Sequence, residues 1–289
     1  MTLPALGLIG AGMMGSGMGR CLLAAGYPLA LSVHKRRDHL APLFAAGATE
    51  APSLAALAGD ADVLLTCLPK AETVLAIADE IIPHLRAGQI WIDTSTATPD
   101  VAETLGPRLA KRGALFVDAP VTGGPPQAQD GTLAALVGCK ADDFPALRPL
   151  IGAYAKIVRR CGDPGRGYAA KLLNNMVTQG TLLLLADAFH CAGKLGVDAD
   201  ALHEVMQSGA ARSGTLEKAV TPALQGKYDG AQFTIENAAK DLRYGRDLIA
   251  DLAPARAPIA AALADRLDAL VAAGRGPDFV STMLDPARP

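Results

Sequence analysis

Short apolar runs alternate with helical patterns through the first half of the chain. Six of these runs are predicted to be strands, over residues 4–10, 29–33, 62–69, 89–95, 114–120 and 132–138. Helix-like segments, in which apolar residues recur every three or four positions, separate the first five runs. Such alternation pairs parallel strands through crossover helices, and it predicts a doubly wound α/β sheet.

The pattern changes after about Gly165. From there the chain has helical periodicity without a strand-like run, beginning with one long helix over about 165–195. Further helices are predicted over 199–208, 215–225, 234–252 and 258–273. The stretch 159–167 is rich in Gly, Pro and Arg and separates the two patterns. We therefore expect an α/β domain over residues 1–163 and an all-α domain over 164–289, with the long helix at their junction.

Composition narrows the classes of function. The 289 residues are 50% hydrophobic and 19% charged, so the chain can bury a proper core and extended disorder is not expected. The net charge of -2, with acids and bases mixed, argues against nucleic acid or an anionic membrane as the main partner. The five cysteines form no CxxC pair and the histidines lack metal-ligand spacing, so we expect no disulfide framework and no metal site. The apolar run 182–186 is too short to span a bilayer, and a cytoplasmic location is expected.

A glycine-rich turn follows the first predicted strand. Gly10, Gly12 and Gly15 form a GxGxxG motif with Met13 and Met14 between the last two, at the start of a helix. In that order the glycines permit a tight turn, close approach of a pyrophosphate and close helix–sheet packing, and the helix N-terminus attracts phosphate charge. Because the motif stands between the first strand and its helix, it predicts a dinucleotide-binding Rossmann domain.

The end of the second strand indicates which dinucleotide is bound. Sites that prefer NAD usually carry an acid there, which accepts a hydrogen bond from the ribose 2′-hydroxyl. This chain has His34, Lys35, Arg36 and Arg37, with no acid before Asp38. Because basic side chains suit a 2′-phosphate, we expect NADP as the cofactor and NAD as the less favoured one. A solvated basic turn is the alternative interpretation.

Several spaced segments together resemble the β-hydroxyacid dehydrogenases, a family that includes 3-hydroxyisobutyrate dehydrogenase and tartronate semialdehyde reductase. The segments are the turn and helix over 7–26, DAPVTGGPPQAQDGTLAALVG at 118–138, GYAAKLLNN at 167–175, and KDL at 240–242 with Phe233 before it. They cover essentially the whole chain. The resemblance implies an NAD(P)-linked oxidoreductase for a small carboxylate-bearing substrate, which associates as a homo-oligomer, a dimer or a tetramer.

The same resemblance implies roles for residues on the cofactor side. It places Leu68 and Pro69 beside the ribose and pyrophosphate. Thr96 would lie near the nicotinamide, and Lys240 takes the position of a lysine that reaches back toward the cofactor.

On the substrate side, the resemblance implies that Thr122, Gly123 and Gly124 hold the carboxylate. Asn175 takes the position of a substrate-binding amide, and Ser213 that of a residue lining the pocket. The family often has serine at the position of Thr122, and the Pro-Pro-Gln sequence over 125–127 is unusual, so the acid that is reduced stays undecided.

Lys171 takes the position of the family's catalytic lysine, and its chemistry agrees with that role. It stands four residues before Asn175, so the two side chains share one face of the predicted long helix. An ammonium group can donate a proton to a carbonyl oxygen while hydride arrives at the carbon, and the neutral amine can act as the base in reverse. The prediction is an NADP(H)-dependent enzyme that interconverts a small 3-hydroxy acid and its semialdehyde, with Lys171 as general acid and base.

Two alternatives stay open. An imine reductase would share this architecture, although such relatives typically have Asp or Tyr at the position of Lys171. A non-catalytic NADPH-binding scaffold would have no need for Lys171, Asn175 and the TGG turn together.

The long helix also predicts self-association. Between residues 172 and 192 it is apolar on more than one face. A helix of this kind has to be covered on every side, and a symmetric partner would supply the missing surface.

Overall fold

The structure, a computed structural model, describes residues 3–34 and 37–288. It divides into two compact units, of which the first ends at Lys171 and the second begins at Leu172. The first unit is a mostly parallel sheet with helices, and the second is helical. The predicted fold class, a doubly wound α/β domain followed by an all-α domain, is confirmed.

One sheet organises the N-terminal unit. In the described part of the chain its strands are β1 (Leu6–Ile9), β2 (Leu29–Ser32), β3 (Thr49–Glu50), β4 (Val63–Thr66), β5 (Ile90–Asp93), β6 (Leu115–Asp118), β7 (Val121–Thr122), β8 (Leu133–Gly138) and β9 (Ala155–Gly162). The first six are parallel, in the order β3-β2-β1-β4-β5-β6. Strand β8 runs antiparallel to β6 and β7 and parallel to β9. The chain leaves β1 toward β2 and returns at β4, and such a reversal is where doubly wound sheets bind ligands.

Helices cover this sheet. They are α1 (Met13–Ala24), α2 (Ala41–Ala45), α3 (Leu54–Asp60), α4 (Ala71–Ile81), α5 (Pro99–Ala110), α6 (Pro125–Gln129) and α7 (Phe144–Gly152), with 3₁₀ turns at Asp38–Leu40 and Ile82–His84. Every residue of β1 and β4 is buried, as expected of strands covered on both faces. Leu8, Leu65 and Ile92 of adjacent strands form one core with Met18 and Leu22 of α1.

The C-terminal unit contains most of one long helix and a set of shorter ones. The helices are α8 (Arg166–Leu195), α9 (Ala199–Ser208), α10 (Thr221–Ala223), α11 (Ile235–Leu252) and α12 (Ala257–Leu270), with π-helical turns at Leu216–Val220 and Val271–Arg275 and 3₁₀ turns at Pro254–Arg256 and Val280–Leu284. Leu182 of α8, Leu242 of α11 and Leu267 of α12 belong to its core. Helix α8 begins in the N-terminal unit and continues into this one.

Three strands were not predicted from the pattern. Strands β3 and β7 have two residues each, which is too short for an alternating pattern. Strand β9 contains a lysine and two arginines and buries only Ala155 and Val158. Its sequence therefore lacks the apolar pattern that would have predicted a strand. The stretch 159–167, predicted to be a boundary, therefore begins inside the sheet.

Candidate functional site

The GxGxxG turn packs tightly against the end of β4. Gly10 has φ +94°, and a Cβ there would overlap the carbonyl oxygen of Cys67. A Cβ on Gly15 would overlap the carbonyl oxygen of Gly10. At Gly12, in contrast, an added Cβ would meet no described protein atom within 4 Å. Two glycines are thus needed to build the turn, while the third leaves open space in front of the N-terminus of α1.

The other predicted cofactor residues of this unit lie close to the turn or at neighbouring strand ends. A Cβ on Gly10 would lie 3.2 Å from Leu68 Cδ2, and Pro69 is exposed beside it. Met13 is 65% exposed at the first position of α1, and Met14 is half-buried. Thr96 is half-buried in the loop after β5.

The basic turn after β2 is described only in part. Lys35 and Arg36 lie outside the described residues. His34 is exposed, and Arg37 forms an ion pair with Glu50 of β3 at 2.5 Å. Sequence reasoning missed His39, whose Nε2 lies 2.9 Å from the carbonyl oxygen of Ala11 in the glycine-rich turn.

The predicted carboxylate-binding turn connects β7 to α6. Thr122 ends β7, Gly123 has φ +126°, and Gly124 immediately precedes α6. The Gly124 N–H donates to Gln127 Oε1 at 2.8 Å. The unusual Pro-Pro-Gln sequence therefore has a visible consequence, because a bound carboxylate would compete with Gln127 for this N–H.

A buried acid fixes the start of α8. Asp118 accepts hydrogen bonds from the N–H groups of Gly165 at 2.7 Å and Tyr168 at 2.9 Å. These are among the N–H groups that a helix start leaves unpaired, and a carboxylate there suits the helix dipole. Burial raises the pKa of Asp118 to about 7, against the lowering effect of its backbone hydrogen bonds. Asp118 is the first residue of the DAPVTGG segment, and the sequence alone did not indicate these two partners.

A second buried acid, Asp93, connects α8 to the loop that follows β4 and contains Leu68 (the Leu68 loop). Its Oδ1 accepts from the hydroxyls of Thr66 and, at 2.8 Å, Ser95. The Leu68 N–H donates to the same Ser95 oxygen at 2.8 Å, and the Tyr168 hydroxyl donates to Asp93 Oδ2 at 2.6 Å. Burial raises the pKa of Asp93, while hydrogen bonds from these hydroxyls lower it.

Lys171 does not extend into solvent. It lies in the second turn of α8 and is 9% exposed. Asn175, 6% exposed, follows one helical turn further along the same helix. Lys171 is therefore a buried lysine and not a solvated surface one.

Asn175 and Lys240 share one buried partner in the C-terminal unit. Asn175 Nδ2 donates to Asp241 Oδ2, and Lys240 Nζ donates to Asp241 Oδ1, each at 2.6 Å. Lys240 also lies 5.0 Å from the ring centroid of Tyr244. Asp241 belongs to the KDL motif, but nothing in the sequence indicated that it binds both of these side chains.

The last predicted site residue, Ser213, has a local structural partner. Its Oγ accepts from the Leu216 N–H at 3.0 Å, at the start of the π-helical turn. Among the described residues no group of three or more His, Cys, Asp or Glu side chains is placed to hold a metal ion. In the same part of the chain, no helix is both long and apolar enough to cross a membrane.

Comparison with known proteins covers almost the whole chain. The family model for the NAD binding domain of 6-phosphogluconate dehydrogenase matches residues 5–162. The model described as NAD-binding of NADP-dependent 3-hydroxyisobutyrate dehydrogenase matches residues 165–286.

Three relatives agree with these family models. Mitochondrial 3-hydroxyisobutyrate dehydrogenase from Drosophila melanogaster is 34% identical over 72% of this chain and 64% of its own length. Its human counterpart is 33% identical over 84% of this chain and 74% of its own length. The structure of Mycobacterium tuberculosis 3-hydroxyisobutyrate dehydrogenase with L-serine is 28% identical, with a TM-score of 0.88 over 100% of both chains.

Proposed function

Because the chain belongs to the β-hydroxyacid dehydrogenase family, we propose that it interconverts a small 3-hydroxy acid and its semialdehyde with NADP(H). Family membership makes it an NAD(P)-dependent oxidoreductase. The assignment to this reaction rests mainly on the buried Lys171, which lies on a helix whose start is hydrogen-bonded to two buried acids, Asp118 and Asp93. Substrates of the 3-hydroxyisobutyrate or 2-hydroxy-3-oxopropionate type are the first candidates, because the relatives carry the former name.

The glycine-rich turn fits a dinucleotide. Gly12 faces open space at the N-terminus of α1, where a pyrophosphate can approach the backbone N–H groups and the positive end of the helix dipole. Leu68 and Pro69 would border the ribose and pyrophosphate, and Thr96 the nicotinamide. The reduced nicotinamide supplies the hydride when it is bound.

The chain's own residues would bind the acid and move the proton. In the reductive direction, Lys171 donates a proton to the carbonyl oxygen as the carbon accepts hydride, and in the oxidative direction its amine removes the hydroxyl proton. We assign the substrate carboxylate to Thr122 and the two glycines after it. Asn175 is the proposed amide donor to the substrate, and its orientation is fixed by Asp241.

The assignment is tested by assaying short semialdehydes, their 3-hydroxy acids and a cyclic imine with NADPH and NADH, following the absorbance of the reduced nicotinamide. We expect reduction of at least one semialdehyde and oxidation of the matching hydroxy acid, with no turnover of the imine. Turnover of the imine alone would identify an imine reductase, and binding of NADPH without turnover of any compound would identify a scaffold.

We expect NADPH to exceed NADH in kcat/KM by about tenfold or more, because each charge-assisted contact to the 2′-phosphate contributes about 1.5–3 kcal/mol. The proposed contacts come from Lys35 and Arg36, with no acid on the strand end to repel the phosphate. Replacing both Lys35 and Arg36 by alanine should remove the preference for NADPH, because it should weaken the binding of NADPH but not that of NADH. Equal efficiency of the two cofactors with the unaltered chain would contradict the assignment.

We also propose a homo-oligomer built on α8. Leu173, Val177 and Leu184 stand on one side of this helix by their spacing, and they are 45%, 64% and 70% exposed. An exposed apolar stripe of this kind is typical of an interface between protein chains.

Light scattering at micromolar concentration should therefore give at least twice the 29.7 kDa of one chain. Val177→Asp should lower that mass, because it places a charge within the stripe. Ile259→Asp, at a residue that is 74% exposed on α12, is the matched control and should leave the mass unchanged. A monomeric mass for the unaltered chain would rule the oligomer out.

A further inference from the structure

We propose that Tyr168 and Asp93 are positioning residues, which lock the Leu68 loop and the first turn of α8 into one arrangement and thereby place Lys171 for proton transfer. The inference rests on the proposed function, because it concerns the same reaction. All of the residues that carry it lie in the N-terminal unit.

The network of hydrogen bonds that connects these residues is centred on the carboxylate of Asp93. Asp93 ends β5 and is fully buried, and it accepts three hydroxyl hydrogen bonds, from Thr66, Ser95 and Tyr168. Trp91 Nε1 donates to the Thr66 hydroxyl oxygen at 2.8 Å and holds it in place. A buried acid costs free energy unless it is well hydrogen-bonded, so each of these bonds restricts the geometry of the others.

The two ends of the network are the parts of the proposed site that have to be aligned. At one end, Ser95 holds the main chain of Leu68, which adjoins the glycine-rich turn. At the other end, Tyr168 stands three residues before Lys171, so the two side chains are neighbours on α8. Neither Asp93 nor Tyr168 is assigned to substrate or cofactor, and their effect on the reaction passes through Leu68 and Lys171.

The Tyr168 hydroxyl is a specific feature and not a general requirement of burial. Tyr154 is equally buried, yet its hydroxyl has no hydrogen-bond partner among the described residues. The chain thus contains one buried tyrosine whose hydroxyl joins two elements and another whose hydroxyl joins none. Tyr154→Phe is therefore a matched control for Tyr168→Phe.

The test compares both variants in turnover and in amide hydrogen exchange. Tyr168→Phe should lower kcat about tenfold while KM for the semialdehyde changes by less than about twofold, since alignment and not ground-state binding is lost. It should also speed exchange of the Leu68 amide without speeding exchange in the core of β1, because the coupling is local. Tyr154→Phe should change none of these quantities.

The outcomes separate the two proposals. A Tyr168→Phe enzyme with the kcat and the Leu68 exchange rate of the Tyr154→Phe control would overturn the positioning role. Faster exchange throughout β1, with unchanged kcat, would also overturn it, because that result describes a purely structural tyrosine. An unaltered chain without turnover on any semialdehyde would instead refute the proposed function, and the positioning role with it.

Discussion

Replacement of Lys171 by alanine is expected to lower kcat by about 10²–10⁴-fold, the usual contribution of a positioned acid or base. Lys171 is buried on a helix that is apolar at most positions, so its ammonium group is not there for solubility. In the proposed reaction it is the group that protonates the carbonyl oxygen, and alanine has no group to replace it.

NADPH binding should survive this change. The residues assigned to the dinucleotide belong to the glycine-rich turn and to the loops after β2, β4 and β5, together with Lys240 of α11. Lys171 is not among them. Lys194→Ala, at an exposed position in the last turn of the same helix, is the control and should retain the unaltered kcat. A Lys171→Ala enzyme with near-native kcat on the best substrate would show that the proton comes from another group.

Gly12→Ala is expected to weaken NADPH binding about 100-fold, or about 2.7 kcal/mol, while the free protein keeps its stability. A Cβ at Gly12 would meet no described atom of the protein, and the φ of -73° suits any residue. The methyl group would instead fill the space where the pyrophosphate approaches the N-terminus of α1. Titration calorimetry with NADPH and a thermal melt of the free protein measure the two quantities.

Gly15→Ala provides the contrast for that measurement. Its Cβ would overlap the carbonyl oxygen of Gly10, so the turn itself has to move and the melting temperature of the free protein should fall. Native NADPH affinity in Gly12→Ala would mean that the dinucleotide does not approach this glycine. Loss of stability in Gly12→Ala, equal to that in Gly15→Ala, would mean that both are structural.

The sequence predicted those helices and strands whose type is determined by their own residues. Strands β1 and β4 are short, mostly apolar runs bounded by turn residues, and α9 and α11 have strong helical periodicity, so their own residues determine their type. Strand β9 was missed because it is stabilised by pairing with β8, while its own composition is charged. Tertiary pairing of this kind leaves no periodic signal in the sequence.

The same division applies to the candidate site. The glycine-rich turn could be predicted, because its function lies in the spacing of three glycines over six positions. The buried acids could not, because their partners are distant in the chain. Tyr168 is 75 residues from Asp93, Gly165 is 47 residues from Asp118, and Asn175 is 66 residues from Asp241. In the sequence each acid is an ordinary strand-end or helix residue, and its hydrogen-bond partners are seen only in the folded structure.

The most direct test of the proposed reaction is to follow the transferred hydrogen. The best semialdehyde is incubated with NADPH carrying deuterium at both C4 positions of the dihydronicotinamide, and the product is examined by mass spectrometry and NMR. We predict a 3-hydroxy acid with one deuterium on the carbinol carbon, formed at a rate that falls by about 10²–10⁴-fold in Lys171→Ala. A hydroxy acid without deuterium at that carbon, or no hydroxy acid at all, would contradict it.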